Sequence, residues 1–204
     1  AGLWEYRGRK RVHTFSSIMC WAGCARLARI AVQLDKPDRA AYWGEKAQSI
    51  HDFVCDNCWD DSQQSFTEAV GIPDMDASLL TMHDLGFLRA SDPRFVSTVQ
   101  AIENKLRRGK HMFRYSSADD FGEPENAFNI CTFWYIDALA AMGRTEEARD
   151  LFENMLACRN HLGLLSEDIA PDSNALWGNF PQTYSMAGII NAAVRLSRDW
   201  EEVL

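Results

Sequence analysis

The sequence predicts an all-α protein arranged in concentric layers, on three observations. Helical periodicity recurs from one end of the chain to the other, with almost no strand signal. The helices alternate in character: some are apolar on most sides, and others carry one apolar stripe and a charged face. The loops that follow the charged helices (57–75, 109–124 and 161–180) are long and rich in Gly, Asp, Ser and aromatic residues. Apolar helices inside and amphipathic helices outside give an α/α toroid or a helical solenoid. The long loops would then gather at one end, where function usually resides.

Each element has its local signals. Phe15, Ile18, Met19, Ala22, Leu27, Ile30 and Leu34 recur at helical spacing over 14–34, and Pro37 separates them from the next helix, 38–56. Asp76 can cap a short helix through Leu85. Asp92-Pro93 reads as N-cap and first-turn proline for a helix ending near Arg107-Arg108-Gly109. An apolar helix spans about 125–142 and stops at Gly143. Thr145-Glu146-Glu147 opens the next, to about Asn160, and the last runs from Pro181-Gln182 to about Leu196. The apolar helices 14–34, 125–142 and 181–196 are expected inside, and 38–56, 92–108 and 144–160 outside. A tetratricopeptide array fits less well, because it would show a period of about 34 residues with short loops.

Composition bounds the function. Hydrophobic residues at 47% and charged residues at 25% are ordinary for a globular domain. The net charge of −8 argues against nucleic acid or an anionic membrane as a partner. No apolar run approaches the roughly 20 residues of a membrane span, and no signal peptide opens the chain. The first residue is not Met and the first motif begins at Gly2, so the chain is expected to be a C-terminal piece of a longer domain. The cysteines (Cys20, Cys24, Cys55, Cys58, Cys131 and Cys158) are expected as free, buried thiols in a reducing cytoplasm. Cys55-Asp56-Asn57-Cys58 has redox or zinc spacing but lacks an evident second ligand pair. No histidine pair sits at metal-ligand spacing on a helix face and no glycine-rich phosphate loop is present, so neither metal nor cofactor is expected.

Two segments carry most of the chemistry: Gly2-Leu3-Trp4-Glu5-Tyr6-Arg7-Gly8 and Gly163-Leu164-Leu165-Ser166-Glu167-Asp168. Each sets a glutamate beside apolar residues in a glycine-flanked loop. Cleaving a glycosidic bond needs such a pair, one carboxylic acid to protonate the leaving oxygen and one carboxylate to activate water or to attack the sugar. The pair is useful only if the fold closes the two ends together.

These segments, with Arg114-Tyr115, the Asn126–Leu139 helix with Cys131-Thr132, Arg159-Asn160-His161 and Gly178-Asn179-Phe180-Pro181-Gln182-Thr183-Tyr184-Ser185, resemble glycoside hydrolase family 15. That family comprises glucoamylases, glucodextranases and bacterial trehalase-type proteins. The resemblance covers nearly the whole chain, with the motifs in the family's order. It implies an (α/α)6 toroid, here incomplete at about the last seven of twelve helices. The 204 residues would then be the C-terminal portion of a single catalytic domain. It also implies an enzyme that inverts at the anomeric carbon, an oligosaccharide or disaccharide substrate, and no cofactor. Part of the family's glucose pocket, including an Arg-Asp pair, comes from the half not present here.

By that resemblance Glu5 is the general acid, and Trp4 and Leu3 give it an apolar wall of the kind that raises a carboxyl pKa. Glu167 is the general base, with Asp168 as the rival carboxylate. Arg114 and Tyr115 hold the sugar, the guanidinium by forked donors and the ring by stacking. Trp4 and Tyr184 are expected as pocket walls, and Arg7 and His13 at the edge. Glucoamylases often carry Trp at the position of Tyr184. Tyr6 stands where fungal glucoamylases have a second glutamate, which points to the bacterial branch. Asp119, Asp120, Glu123 and Glu125 form a cluster that either favours the positive start of the following helix, the preferred reading, or binds a cation or faces the sugar's leaving group. Trp177 either stacks on a leaving sugar or packs its loop.

The expected function is inverting, exo-acting hydrolysis of α-glucosides with release of β-glucose. The alternatives are α,α-trehalose hydrolysis by the same carboxylates, or a non-catalytic helical scaffold. A toroid epimerase would need histidines converging on the pocket, and only His13, His111 and His161 stand in the loops. The oligomeric state is not readable. An open toroid would expose the apolar faces of its inner helices and self-associate.

Overall fold

The structure is a computed structural model that describes residues 2–4, 10–120 and 122–197. Among them are six α-helices: α1 (Thr14–Gln33), α2 (Pro37–Asn57), α3 (Pro93–Leu106), α4 (Asn129–Ala141), α5 (Thr145–Ala157) and α6 (Thr183–Ser197). The short helix expected after Asp76 is a 3-10 helix, Ala77–Met82.

The termini follow the local chemistry. Pro37 stands in the first turn of α2, and the Asp92 side chain accepts the Arg94 N–H at 2.9 Å ahead of Pro93 in α3. Asp76 caps the 3-10 helix by accepting the Ser78 N–H at 2.8 Å. Gly143, with φ of +82°, ends α4, and Glu146 and Glu147 occupy the first turn of α5.

The helices form an arc of two layers. On the inside α1 touches the 3-10 helix, the 3-10 helix touches α4, and α4 touches α6. On the outside α2 lies along α1, α3 backs the 3-10 helix, and α5 packs on both α4 and α6. The alternation of inner and outer helices expected from sequence is present, and the arc is an incomplete toroid. Arg107 and Arg144 both pair with Glu103 and Glu147, linking the end of α3 to α5.

Helix α4 is the centre of the core. Phe133, Tyr135, Ile136 and Leu139 are buried, against Leu79, Leu80 and Met82 of the 3-10 helix among others. Two of its buried polar side chains bond to the neighbouring loops. Asn129 donates to the Ser166 carbonyl at 2.8 Å, and the Thr132 hydroxyl accepts the Met112 N–H at 3.0 Å. Gly188 of α6 faces Phe133, where an added Cβ would fall 2.4 Å from the ring, so glycine permits this close crossing.

Several expectations need correction. First, the loops hold seven two-residue strands: β1 (Trp59–Asp60), β2 (Ser65–Phe66), β3 (Arg107–Arg108), β4 (His111–Met112), β5 (Ala127–Phe128), β6 (Asp168–Ile169) and β7 (Leu176–Trp177). They pair antiparallel as β1-β2, β3-β4 and β5-β6-β7. Strands this short carry no readable periodicity. The basic pair Arg107-Arg108 follows the last residue of α3, as expected, and also starts a hairpin. Secondly, α4 begins at Asn129, because Ala127 and Phe128 pair with Ile169 and Asp168.

Thirdly, α1 is not enclosed. Only Thr14, Ile18, Ala22 and Ala31 are buried, while Met19, Leu27, Ile30, Val32 and Leu34 are exposed. By length and composition alone this helix is apolar enough to cross a membrane, contrary to the expectation that no such run exists. It forms one end of the arc, with α2 on one side and the 3-10 helix on another. The six cysteines are free: Cys58 and Cys131 are buried, three are half-buried, and Cys20 is exposed rather than buried.

Candidate active site

The long loops meet at one end of the arc, as expected, and the short strands make the joints. Thr14 N–H donates to the Glu68 carbonyl at 2.9 Å, tying the loop after α2 to the start of α1. Ala77 N–H donates to the Arg114 carbonyl at 2.9 Å, and Asp76 bridges Tyr115. Strand β5 joins the 109–128 segment to the Glu167 loop, where Asn129 N–H donates to the Glu167 carbonyl at 2.9 Å.

At this end lies a cavity of about 720 Å³. It is lined by Leu3, Trp4, Arg114, Tyr115, Asp119 and Tyr184, with Phe128, Ile130, Trp134 and Ala187. Four of the residues expected at the site are thus brought together: Trp4, Arg114, Tyr115 and Tyr184. The Trp4 ring centre is 6.2 Å from Tyr115, 5.6 Å from Phe128 and 6.2 Å from Trp134. The Arg114 guanidinium stands 5.1 Å above the Tyr115 ring and 5.8 Å from Phe128. Tyr184, at 63% exposure, stands on the rim, so its ring faces are open to an incoming molecule. Glu5 and Arg7 lie outside the described residues.

Asp119 belongs to this site rather than to a helix start. Its carboxylate accepts the Tyr115 hydroxyl at 2.6 Å and lies 3.6 Å from Arg114. Burial, then this carboxylate, pushes the Tyr115 phenol up to about 12, so the ring stays a hydrogen-bond donor. Asp119, Glu123 and Glu125 line a second cavity of about 460 Å³, with Arg114 and Asp168 on its wall. Arg114 and Asp119 border both spaces.

Glu167 and Asp168 have different settings. Glu167 accepts from the Asn179 backbone N–H at 3.2 Å, the Asn179 side-chain amide at 2.9 Å and Gln182 Nε2 at 3.4 Å. Three N–H donors on a carboxylate fix its orientation and leave its oxygens as acceptors. Gly178, with φ of +77°, makes room, since a Cβ there would sit 3.0 Å from Glu167 Oε2. Asp168 is more enclosed. Burial raises its carboxyl to about 6, with Arg114 opposing and Glu167 adding to the rise. Its Oδ1 has no hydrogen-bond partner.

Sequence reasoning missed several members of the site. Phe128 and Trp134 looked like ordinary core aromatics of an apolar helix. Asn179 and Gln182 were part of a motif but carried no stated role. Asp76 was read only as a helix cap, yet its second carboxylate oxygen accepts the Trp4 indole N–H at 2.7 Å. Trp177 is exposed on β7 rather than packed in its loop. His13, His111 and His161 do not converge: none lines the cavity, His13 lies against Glu68, and His111 bonds Asn174. Cys55 sits near His51 and Arg94, while Cys58 is buried in the core. No group of three or more His, Cys, Asp or Glu side chains is placed to hold a metal ion among the described residues.

Paired inner and outer helices, with an aromatic and carboxylate-lined cavity at the loop end, place the molecule in the α/α-toroid class. A bacterial glucoamylase solved with acarbose superposes with a TM-score of 0.74 at 18% identity, over 91% of this chain and 33% of that one. The sequence profile of Glycosyl hydrolases family 15 matches residues 1–194, and the chain belongs to that family. A trehalase of Thermoplasma volcanium is 34% identical over 96% of the chain, and one of Mycobacterium tuberculosis is 35% identical over 98%. The chain spans about a third of the length of these curated relatives (32% and 30%).

Proposed function

We propose that the protein of which this chain is part hydrolyses an α-glucosidic bond with inversion, and that its substrate is α,α-trehalose. The observation that carries the reaction class is the cavity, in which an aromatic wall and the Arg114 guanidinium stand beside a carboxylate-bearing loop. Aromatic rings offer faces to sugar C–H groups, and a guanidinium offers forked donors to adjacent hydroxyls. Trehalose is favoured over longer glucans by the two trehalases, which match nearly the whole chain. The glucoamylase likeness, at 18% identity, supports the fold.

In this reading Glu167 is the general base. Its three N–H donors fix the aim of the carboxylate, whereas Asp168 is more enclosed and shares the wall of the second cavity with Arg114. Glu167 takes a proton from water as that water attacks the anomeric carbon, and Glu5 gives a proton to the departing oxygen. In an inverting site the two carboxyl groups stand roughly 6.5–9.5 Å apart to admit that water. Arg114 and Tyr115 hold the sugar's hydroxyls and face. The free thiols support a reducing compartment, the cytoplasm, as the setting.

The product ratio tests the reading directly. Inversion at one carbon of trehalose releases one β-glucose from the attacked ring and one α-glucose from the leaving ring. Retention releases two α-glucoses. The full-length protein would be incubated with trehalose, maltotriose and isomaltotriose and followed by early-time proton NMR. Equal α- and β-glucose from trehalose, lost by about 10²–10⁴-fold in Glu5→Gln and Glu167→Gln, is the expected result. New β-glucose from maltotriose alone would move the substrate to α-glucans. No release from a folded full-length protein would leave a non-catalytic scaffold.

A further inference from the structure

We propose that Asp76 is a positioning residue of the site. Its carboxylate clamps the Trp4 indole against the Arg114–Tyr115 wall, and so fixes the residue that precedes Glu5 in the sequence. This inference rests on the proposed hydrolysis for its kinetic consequence, but the clamp itself is geometric.

Four observations carry it. Asp76 is buried, at 5% exposure, and both of its oxygens are used: Oδ1 accepts the Ser78 N–H at 2.8 Å and Oδ2 the Trp4 Nε1–H at 2.7 Å. Its backbone bridges Tyr115, and the next residue donates to the Arg114 carbonyl at 2.9 Å. One residue therefore holds two walls of the cavity, one by its side chain and the other by its main chain. The single N–H of the Trp4 indole is spent on Asp76, and the ring lies edge-on to Tyr115 and Phe128. Finally, the segment is seated at a second point, where Gly2 lies against the His13 ring so closely that a Cβ would fall 3.0 Å from it. Gly2 and Trp4 are thus held at two points, just before Glu5 in the sequence.

The chemistry of the clamp makes it testable by substitution. A carboxylate can accept from both facing donors. An asparagine of the same shape has one acceptor oxygen and one amide that can only donate, so one facing N–H loses its partner. A charge-assisted bond to a buried carboxylate is also stronger than its neutral counterpart. Trp4→Phe keeps a ring in the wall but removes the donor.

In the full-length protein, Asp76→Asn and Trp4→Phe should each lower kcat by on the order of ten- to a hundredfold, the scale of a misplaced catalytic group, with a smaller change in KM. The double variant should be no worse than the weaker single variant, since both break one interaction. A second readout needs no activity: the Trp4 indole ¹⁵N–¹H resonance, assigned by its absence in Trp4→Phe, should shift and exchange faster in Asp76→Asn. Multiplying kinetic losses, or a Trp4 resonance unmoved in Asp76→Asn, would overturn the inference and leave Asp76 as a helix cap alone. If the folded wild type hydrolyses nothing, the proposed function fails while the resonance still decides the clamp.

Discussion

Gly178 shows how much of the site rests on single residues. Its φ of +77° is a conformation that side chains rarely adopt, and a Cβ there would meet both Glu167 Oε2 and Glu167 Cβ. Gly178→Ala should turn the Glu167 carboxylate away from Asn179 and lower kcat about a hundredfold, with little change in substrate affinity. Steady-state kinetics beside Asn179→Ala, which removes one of the three donors without adding bulk, would check the direction. The glutamate and the Gly178-Asn179 motif were legible in the sequence. Their mutual contact was not, because residues 167 and 179 meet only through the β6-β7 hairpin, whose strands are two residues long.

A buried ion cluster on the side of α4 facing α6 gives a second prediction at this scale. Asp137 of α4 lies 3.5 Å from Arg195 of α6, which also pairs with Asp84, and His83 is 3.6 Å from Asp84. Burial raises Asp137 from 3.8 to about 7, with Arg195 opposing and Asp84 adding to the rise. Between those values the folded state holds a proton that the unfolded chain releases. Stability from this group therefore falls as pH rises through the window, and levels off above about 7. Asp137→Asn cannot ionise. Its melting temperature relative to wild type should rise from about pH 4.5 to about pH 7.5, as followed by thermal melts across that range.

At the scale of elements, the crossing of α4 and α6 is set by one missing side chain. An alanine at 188 would put its Cβ within 2.4–2.9 Å of Phe133 atoms, on a ring that is itself buried. Gly188→Ala should cost about 1–3 kcal/mol, the usual range for overpacking a filled core. Denaturant melts would measure it, and Phe133→Leu in the same chain should recover part of the loss. The alternation of apolar and amphipathic helices was readable because burial on all sides or on one side leaves different residue patterns. The start of α4 was misread by about four residues, since pairing of Ala127 and Phe128 with a distant strand overrides local helix signals. In the acidic cluster before it, Asp119 faces Tyr115 and Arg114, so for that residue the site-facing reading holds over the helix-start one.

At the scale of the whole molecule, the two ends of the arc are apolar. Met19, Leu27, Ile30 and Val32 of α1 and Ile190 and Val194 of α6 are exposed. Faces of this kind on an isolated chain drive association. The 204-residue chain on its own should sediment as larger species, and a double variant Ile30→Lys, Ile190→Lys should shift it toward the monomer. Analytical ultracentrifugation at several concentrations would show the difference, which should be absent if the full-length protein covers both faces.

What the sequence determined by itself was the class of architecture, the family and the identity of the acidic loops. Periodicity, caps and glycine-flanked motifs are local, and each is written in a few consecutive residues. What only the tertiary structure decided was the company those residues keep. It put Asp76 under Trp4, Asp119 on Tyr115 and Asn179 on Glu167, and it gave Glu167 three N–H donors while leaving Asp168 Oδ1 without a partner. Burial and hydrogen-bond partners arise when distant segments close on one another, and those two quantities set the orientation and protonation of a carboxylate.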